Sequence, residues 1–206
     1  FKGGVLYELG NSLGFLTGIP VLGKVYDNTD VWFNFGLIDK APIFDQVIQD
    51  WDAKMATDPK NEKFTAVEFG INASSDDGTL AGKLNIYNTS WNDRIATKYV
   101  QNEEGDDDII YLTGLNQNHF GIETDFAAQL NDMFRLDIGL GWGKWEFTDD
   151  ATGTYRDSDG ADAQYNYSLE GLPTGDMPQT SFNLGLTGSP VEGSAIQLTY
   201  RYYDRF

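Results

Sequence analysis

The 206-residue chain contains no cysteine and a single histidine, His119. The first absence excludes disulfides and thiolate metal sites while leaving the compartment open. The second excludes a multi-histidine metal centre and leaves one candidate for any histidine-based triad. Basic residues are scarce as well, with 14 Lys and Arg against 32 Asp and Glu and a formal net charge of −18. Phosphate binding needs the opposite sign, which argues against a nucleic-acid partner. No stretch approaches the ~18 consecutive apolar residues of a spanning helix, so a membrane span has to be made of strands. Phe1 follows no basic start or apolar core of a signal peptide, and the expectation is a mature chain or a fragment. No glycine-rich phosphate loop precedes a helix.

What is present is strict alternation. Phe120, Ile122, Thr124, Phe126, Ala128 and Leu130 point one way, and His119, Gly121, Glu123, Asp125, Ala127 and Gln129 the other. After the turn formers Asn131 and Asp132 the pattern resumes, with Phe134, Leu136, Ile138, Leu140 and Trp142 against Arg135, Asp137, Gly139, Gly141 and Gly143. Each run has roughly the 9 to 11 residues that a tilted strand needs to cross a bilayer. Glycines beside isolated charges, opposite an unbroken apolar band, suit the polar lumen of an outer-membrane barrel better than the wet face of a soluble sandwich. The expectation is an all-β fold, a transmembrane antiparallel β-barrel. Phe182, Leu184, Leu186, Ile196 and Leu198 join the lipid face, while Asn183, Gln197 and Arg201 join the lumen.

Strands are expected at roughly 1–8, 30–37, 64–74, 80–90, 118–130, 133–147, 179–188 and 195–206. Connections at Ser75–Thr79, Asn131–Asp132 and Ser189–Gly193 are tight, whereas 38–62, 91–117 and 148–178 are long loops. Short periplasmic turns and long outer loops are the rhythm of bacterial barrels, which assigns a side to every connection. It also places Trp91, Trp142, Trp145, Tyr200, Tyr202 and Tyr203 toward the outer strand ends, as an aromatic girdle. The three long loops hold 19 of the 32 acidic residues. Solvation of surface loops explains that charge simply; capture of cations or steering of a cationic ligand is the sharper reading.

Residues Asn61–Gly70 (NEKFTAVEFG), Asn118–Phe126 (NHFGIETDF), Leu140–Trp145 (LGWGKW), Tyr167–Thr180 (YSLEGLPTGDMPQT) and Tyr200–Phe206 (YRYYDRF) resemble the barrel of TonB-dependent outer-membrane receptors of the Bacteroidetes type. Lys40–Asp45 (KAPIFD) and Trp91–Arg94 (WNDR) resemble further pieces of it in the same order. The resemblance, to the C-terminal part of the barrel, implies about twenty-two strands filled by a plug domain. It also implies TonB-dependent uptake of a scarce nutrient of the siderophore, glycan or peptide class across the outer membrane of a Gram-negative bacterium. Outer-membrane lipid, the TonB system and a surface lipoprotein are the implied partners. Residues 1–206 then form a single barrel segment of about eight to ten strands, with no piece that resembles the plug or a TonB box. The stretch 9–29 is longer and more apolar than a turn and reads as a short helix or an insertion.

Candidate sites are few, and no catalytic residue is expected. Glu123 and Asp125 lack a partner nucleophile, and with Arg135 and Asp137 they suggest a lumen salt-bridge ladder. His119 reads as a strand-edge or lumen residue. Asp157, Asp159 and Asp162 have part of the spacing of a calcium loop, so the candidate cofactor is calcium. Tyr155, Tyr165 and Tyr167 in the same loop are ligand-contact candidates, the loop itself being expected to order when a cation arrives. Asn72-Ala73-Ser74, Asn88-Thr89-Ser90 and Asn166-Tyr167-Ser168 are chance glycosylation matches. Two alternatives stay open: a small self-contained outer-membrane barrel acting as scaffold or adhesin, and a soluble all-β binding module.

Overall fold

The computed structural model describes residues 2–8, 28–48, 59–156, 162–175 and 177–204. Ten strands make one continuous antiparallel sheet: β1 (Lys2–Glu8), β2 (Asn28–Lys40), β3 (Glu62–Ser74), β4 (Leu80–Gln101), β5 (Asp107–Gln129), β6 (Phe134–Phe147), β7 (Ala151–Arg156), β8 (Asp162–Tyr167), β9 (Thr180–Gly188) and β10 (Ile196–Asp204). One helical turn, α1 (Phe44–Val47), follows β2. The main order is β1-β2-β3-β4-β5-β6-β9-β10, so neighbours in sequence are neighbours in space except where the β7–β8 hairpin branches from β5. Residues 9–27, and with them almost all of the apolar stretch 9–29, lie outside the described residues.

The short turns form because their side chains satisfy the backbone. Asp77 Oδ1 accepts from the Thr79 amide at 3.0 Å and from the Ser75 and Thr79 hydroxyls at 2.6 Å each. Gly78 takes the φ of 68° that the turn requires. In the next short turn Asn131 Oδ1 accepts from the amides of Met133 and Phe134, both at 2.9 Å. These bonds fix the register, and the register fixes the faces. Phe33, Phe69, Ile86, Ile122 and Trp142 follow one another across five strands on one face. Lys83, Asp125 and Gly139 follow one another on the opposite face, continued by Asn183 and Arg201. Among the described residues only Leu115, Ala128 and Ala151 are fully buried apolar side chains, whereas Phe33, Phe69, Phe126, Leu140, Leu184 and Leu198 are exposed. A sheet with its apolar side chains on the outside has lipid for its core. Even the hydroxyl of Thr124 within this band is satisfied, donating to the Lys83 carbonyl at 2.8 Å.

Two expected loops turn out to contain strands. The segment 91–117 is not a loop: β4 and β5 continue through it as a hairpin whose tip is only 102–106, with register shifts between Trp91, Arg94 and Ala96. Asp93 sits at φ 57° in this bulged stretch, and Asn116 Oδ1 holds its amide at 3.0 Å. Segment 148–178 contains β7 and β8; β7 pairs with Ile109–Thr113 of β5 and β8 pairs with β7. The result is a four-stranded extension above the spanning sheet. Alternation fails to announce it because neither of its faces meets lipid.

Asp149 joins the extension to the sheet. It accepts from Asn116 Nδ2 at 2.9 Å and from Thr148 Oγ1 at 2.8 Å, and these bonds hold its carboxyl below the usual carboxylate range. A depressed folded pKa contributes stability that is present above the unfolded value of about 3.9 and is lost as pH falls through the folded one. Amide exchange around Asn116 and Thr148 is therefore expected to quicken below about pH 4 in the wild type. Asp149→Asn should remove that acid limb; an unchanged limb would assign it to other carboxylates.

Candidate functional site on the polar face

The lipid-opposed face carries two groups of side chains. Toward the short turns lies a concavity of about 500 Å³ lined by Lys83, Asp125, Arg135, Asp137, Asn183 and Arg201, among others. The expected ladder of four charges shrinks here to one pair within β6, Arg135 Nη2 to Asp137 Oδ1 at 2.7 Å. Glu123 and Asp125 instead face Gly141 and Gly139 on β6, so no cation stands directly across from either on that strand. The Arg135–Asp137 pair is exposed, and such pairs contribute little to stability.

Toward the ends remote from the short turns lies an aromatic and polar cluster. Trp145 Nε1 donates to the Tyr87 hydroxyl at 3.1 Å, and the Trp145 ring stacks on His119 with centroids 5.7 Å apart. Tyr87 lies over Gly121, where an added Cβ would come within 2.4 Å of the phenol, so glycine is what admits the ring. His119 Nε2 is 3.2 Å from Gln117 Oε1, and Gln179 clamps the Trp145 backbone, donating to its carbonyl at 3.1 Å. Gln117 is 1% exposed and its Nε2 has no partner. Beside this group, Trp91 Nε1 donates to Glu62 Oε2 at 3.2 Å, Lys40 pairs with the same oxygen at 3.2 Å, and Phe64 packs on Trp91 at 4.5 Å. The Arg94 guanidinium stands 4.4 Å over the Trp91 ring. Indole and phenol faces interleaved with amides and one cation can hold a ligand that has both planar apolar surface and hydrogen-bonding groups.

This cluster corrects the expected girdle. Trp142, Tyr200 and Tyr202 do lie on the lipid face, 49%, 58% and 46% exposed. Trp91, Trp145 and Tyr203 share the register rows of the polar face. The signal was in the spacing: Trp142 and Trp145 are three residues apart on one strand, and an odd interval puts side chains on opposite faces. His119 is a lumen-face residue, as expected.

Of the calcium candidates, Asp157 and Asp159 lie outside the described residues, and Asp162 opens β8 opposite Arg156 in the register. Among the described residues no group of three His, Asp or Glu side chains is placed to hold a metal ion. The ligand-contact tyrosines stand on paired strands rather than in a loop. Tyr155 donates to the buried Asp108 carboxylate and meets Tyr165 edge to face at 6.0 Å, while Tyr167 lies against Gly153.

No family model and no curated protein matches the chain. Among solved structures, 98% of the chain aligns with 24% of the ferric-catecholate import receptor Fiu of E. coli K12 in its closed form, at TM-score 0.56 and 18% identity. The toluene transporter TodX of P. putida aligns with 85% of the chain over 51% of its own length, at TM-score 0.41 and 11% identity. The chain thus spans about a quarter of Fiu. The likeness to Fiu shows the fold, and with the lipid-outward sheet it makes these strands those of a transmembrane antiparallel β-barrel.

Proposed function

We propose that the protein works in outer-membrane transport, as part of a plugged barrel that takes up a scarce nutrient with energy delivered through the TonB system. The observation that carries this reading is the division of the sheet into an apolar face and a lumen face whose outer end presents Trp91, Trp145, Tyr87, His119 and Arg94. Fiu, whose fold the strands share, is a ferric-catecholate import receptor, which agrees with a siderophore-like ligand bearing planar and polar groups. On this reading the protein is not an enzyme, and Glu123 and Asp125 line the passage.

Uptake by cells expressing the full-length protein tests the proposal. Loss of TonB function is expected to abolish growth on the limiting nutrient, and Trp91→Ala or Trp145→Ala should weaken ligand binding about tenfold, equivalent to ~1.4 kcal/mol, with barrel yield unchanged. Growth that ignores TonB would overturn the transport mechanism. Unaltered affinity in both tryptophan variants would move the ligand elsewhere.

A further inference from the structure

Three aromatic rings on the lumen face lie flat on the sheet, each over a buried glycine. Tyr87 of β4 reaches across Gly121 of β5, and Trp145 folds back along β6 over Gly143, where an added Cβ would come within 2.7 Å of the indole nitrogen. The third ring stands apart from the cluster described above. Trp32 of β2 covers Gly70 of β3 so closely that a Cβ there would collide with the indole. Gly70, Gly121 and Gly143 are buried, while Trp32, Tyr87 and Trp145 keep part of their surface exposed. A ring laid on backbone has one face covered, so the exposure that remains belongs to the other.

The three seats fall on one diagonal. Thr89 of β4 shares the row of Trp145, and Tyr87 lies two residues nearer the short turns. Asn34 of β2 shares the row of Tyr87, and Trp32 again lies two residues nearer the short turns. Each step therefore crosses two strands and advances two residues, roughly 12 Å between Cα atoms. The Tyr87 hydroxyl closes the first gap by accepting from Trp145 Nε1 at 3.1 Å. Along the second step the polar groups are mostly acceptors. Asn85 Oδ1, in the row of Trp32, is buried with no hydrogen-bond partner among the described residues. From β2 to β5 this row and its two neighbours carry Asp30, Glu68, Glu123 and Asp125 against one cation, Lys83.

We propose that Trp145, Tyr87 and Trp32 form one stacking surface on which a ligand bearing uncharged hydroxylated rings lies flat, and that Trp32 with Asn85 is a further ring-binding subsite. The inference rests on the ligand-binding reading of the aromatic cluster and extends that site from β6 to β2. Sugar rings and hydroxylated aryl rings share the chemistry required. Their faces stack on indole and phenol, and their hydroxyls donate to the amide oxygen and the carboxylates beside these rings. A compact anion is repelled from this part of the wall, where four carboxylates stand against one lysine.

The test is fluorine NMR of the full-length protein in detergent, carrying fluorotryptophan, with the Trp32, Trp91, Trp142 and Trp145 signals assigned by single replacements with phenylalanine. Maltotriose and catechol are titrated separately, so that the probe that acts tells a sugar source from an aryl one. One of them is expected to move both Trp145 and Trp32 and to leave the lipid-facing Trp142 unmoved. Gly70→Ala, which lifts the indole from its seat, should raise the concentration needed to move Trp32 about fivefold with that for Trp145 unchanged. Asn85→Ala, which leaves the seat intact, should act in the same direction. Silence of Trp32 while Trp91 and Trp145 respond would overturn the proposal and leave the cluster as the whole site. A shift of Trp142 equal to the others would also overturn it, because that marks partition of the probe into detergent. Silence of all three lumen tryptophans toward both probes would sink the ligand-binding reading, and this proposal with it.

Discussion

Leu184→Arg is expected to block or severely reduce assembly into membranes, while Asn183→Arg, one residue away, is tolerated. Leu184 sits midway along β9, paired with Ile138 on one side and Tyr200 on the other, and it belongs to the exposed apolar band. Arginine at the midplane of a barrel's lipid face costs about 2 to 4 kcal/mol. Asn183 shares the lumen concavity with Asp125 and Asp137, so an added guanidinium there meets water and carboxylates. Folding yield in lipid vesicles across a urea series reads both variants. If they assembled equally well, the facing of β9 and of every strand in register with it would be wrong.

That facing was legible because lipid writes period two into a sequence. From Phe120 to Leu130 and again from Phe134 to Trp142 alternate residues face hydrocarbon. The turn between them falls within a residue of where it is expected, with β5 ending at Gln129 and β6 beginning at Phe134, although β5 itself starts at Asp107, well before the expected 118. The same rule explains the failures. β7 (ATGTYR) and β8 (DAQYNY) alternate tyrosine, alanine and glycine with threonine, asparagine, glutamine and the paired Arg156 and Asp162; with both faces outside lipid, no apolar stripe survives to be counted. The upper halves of β4 and β5 were hidden further by the bulged stretch around Asp93 and Gly114, which adds residues out of phase. The aromatic cluster was harder still. Trp145 and Tyr87 are 58 positions apart, and their hydrogen bond depends on the intervening registers and on Gly121 leaving room for the phenol.

The second large effect concerns the edges of the sheet. Among the described residues the seven residues of β1 pair only with β2, and the nine of β10 pair only with β9, leaving one side of each strand unpaired. About half of the backbone groups of an edge strand point outward, and in lipid each unsatisfied group costs several kcal/mol. Summed over two edges this reaches tens of kcal/mol, more than the 5 to 15 kcal/mol by which a typical domain is stable. Pairing must come from further strands, from a second copy, or from β1 closing on β10. The main path holds eight strands, which is also the size of the smallest bacterial barrels, so closure is a definite competitor. Residues 1–206 produced alone are expected to aggregate or to be degraded, because the sheet shows β1 and β10 at opposite edges rather than paired. Refolding into detergent followed by sizing, with and without boiling, decides the matter. A monomer that resists heat until boiled would establish closure and the small-barrel reading; aggregates in every detergent would establish that the edges await strands from elsewhere.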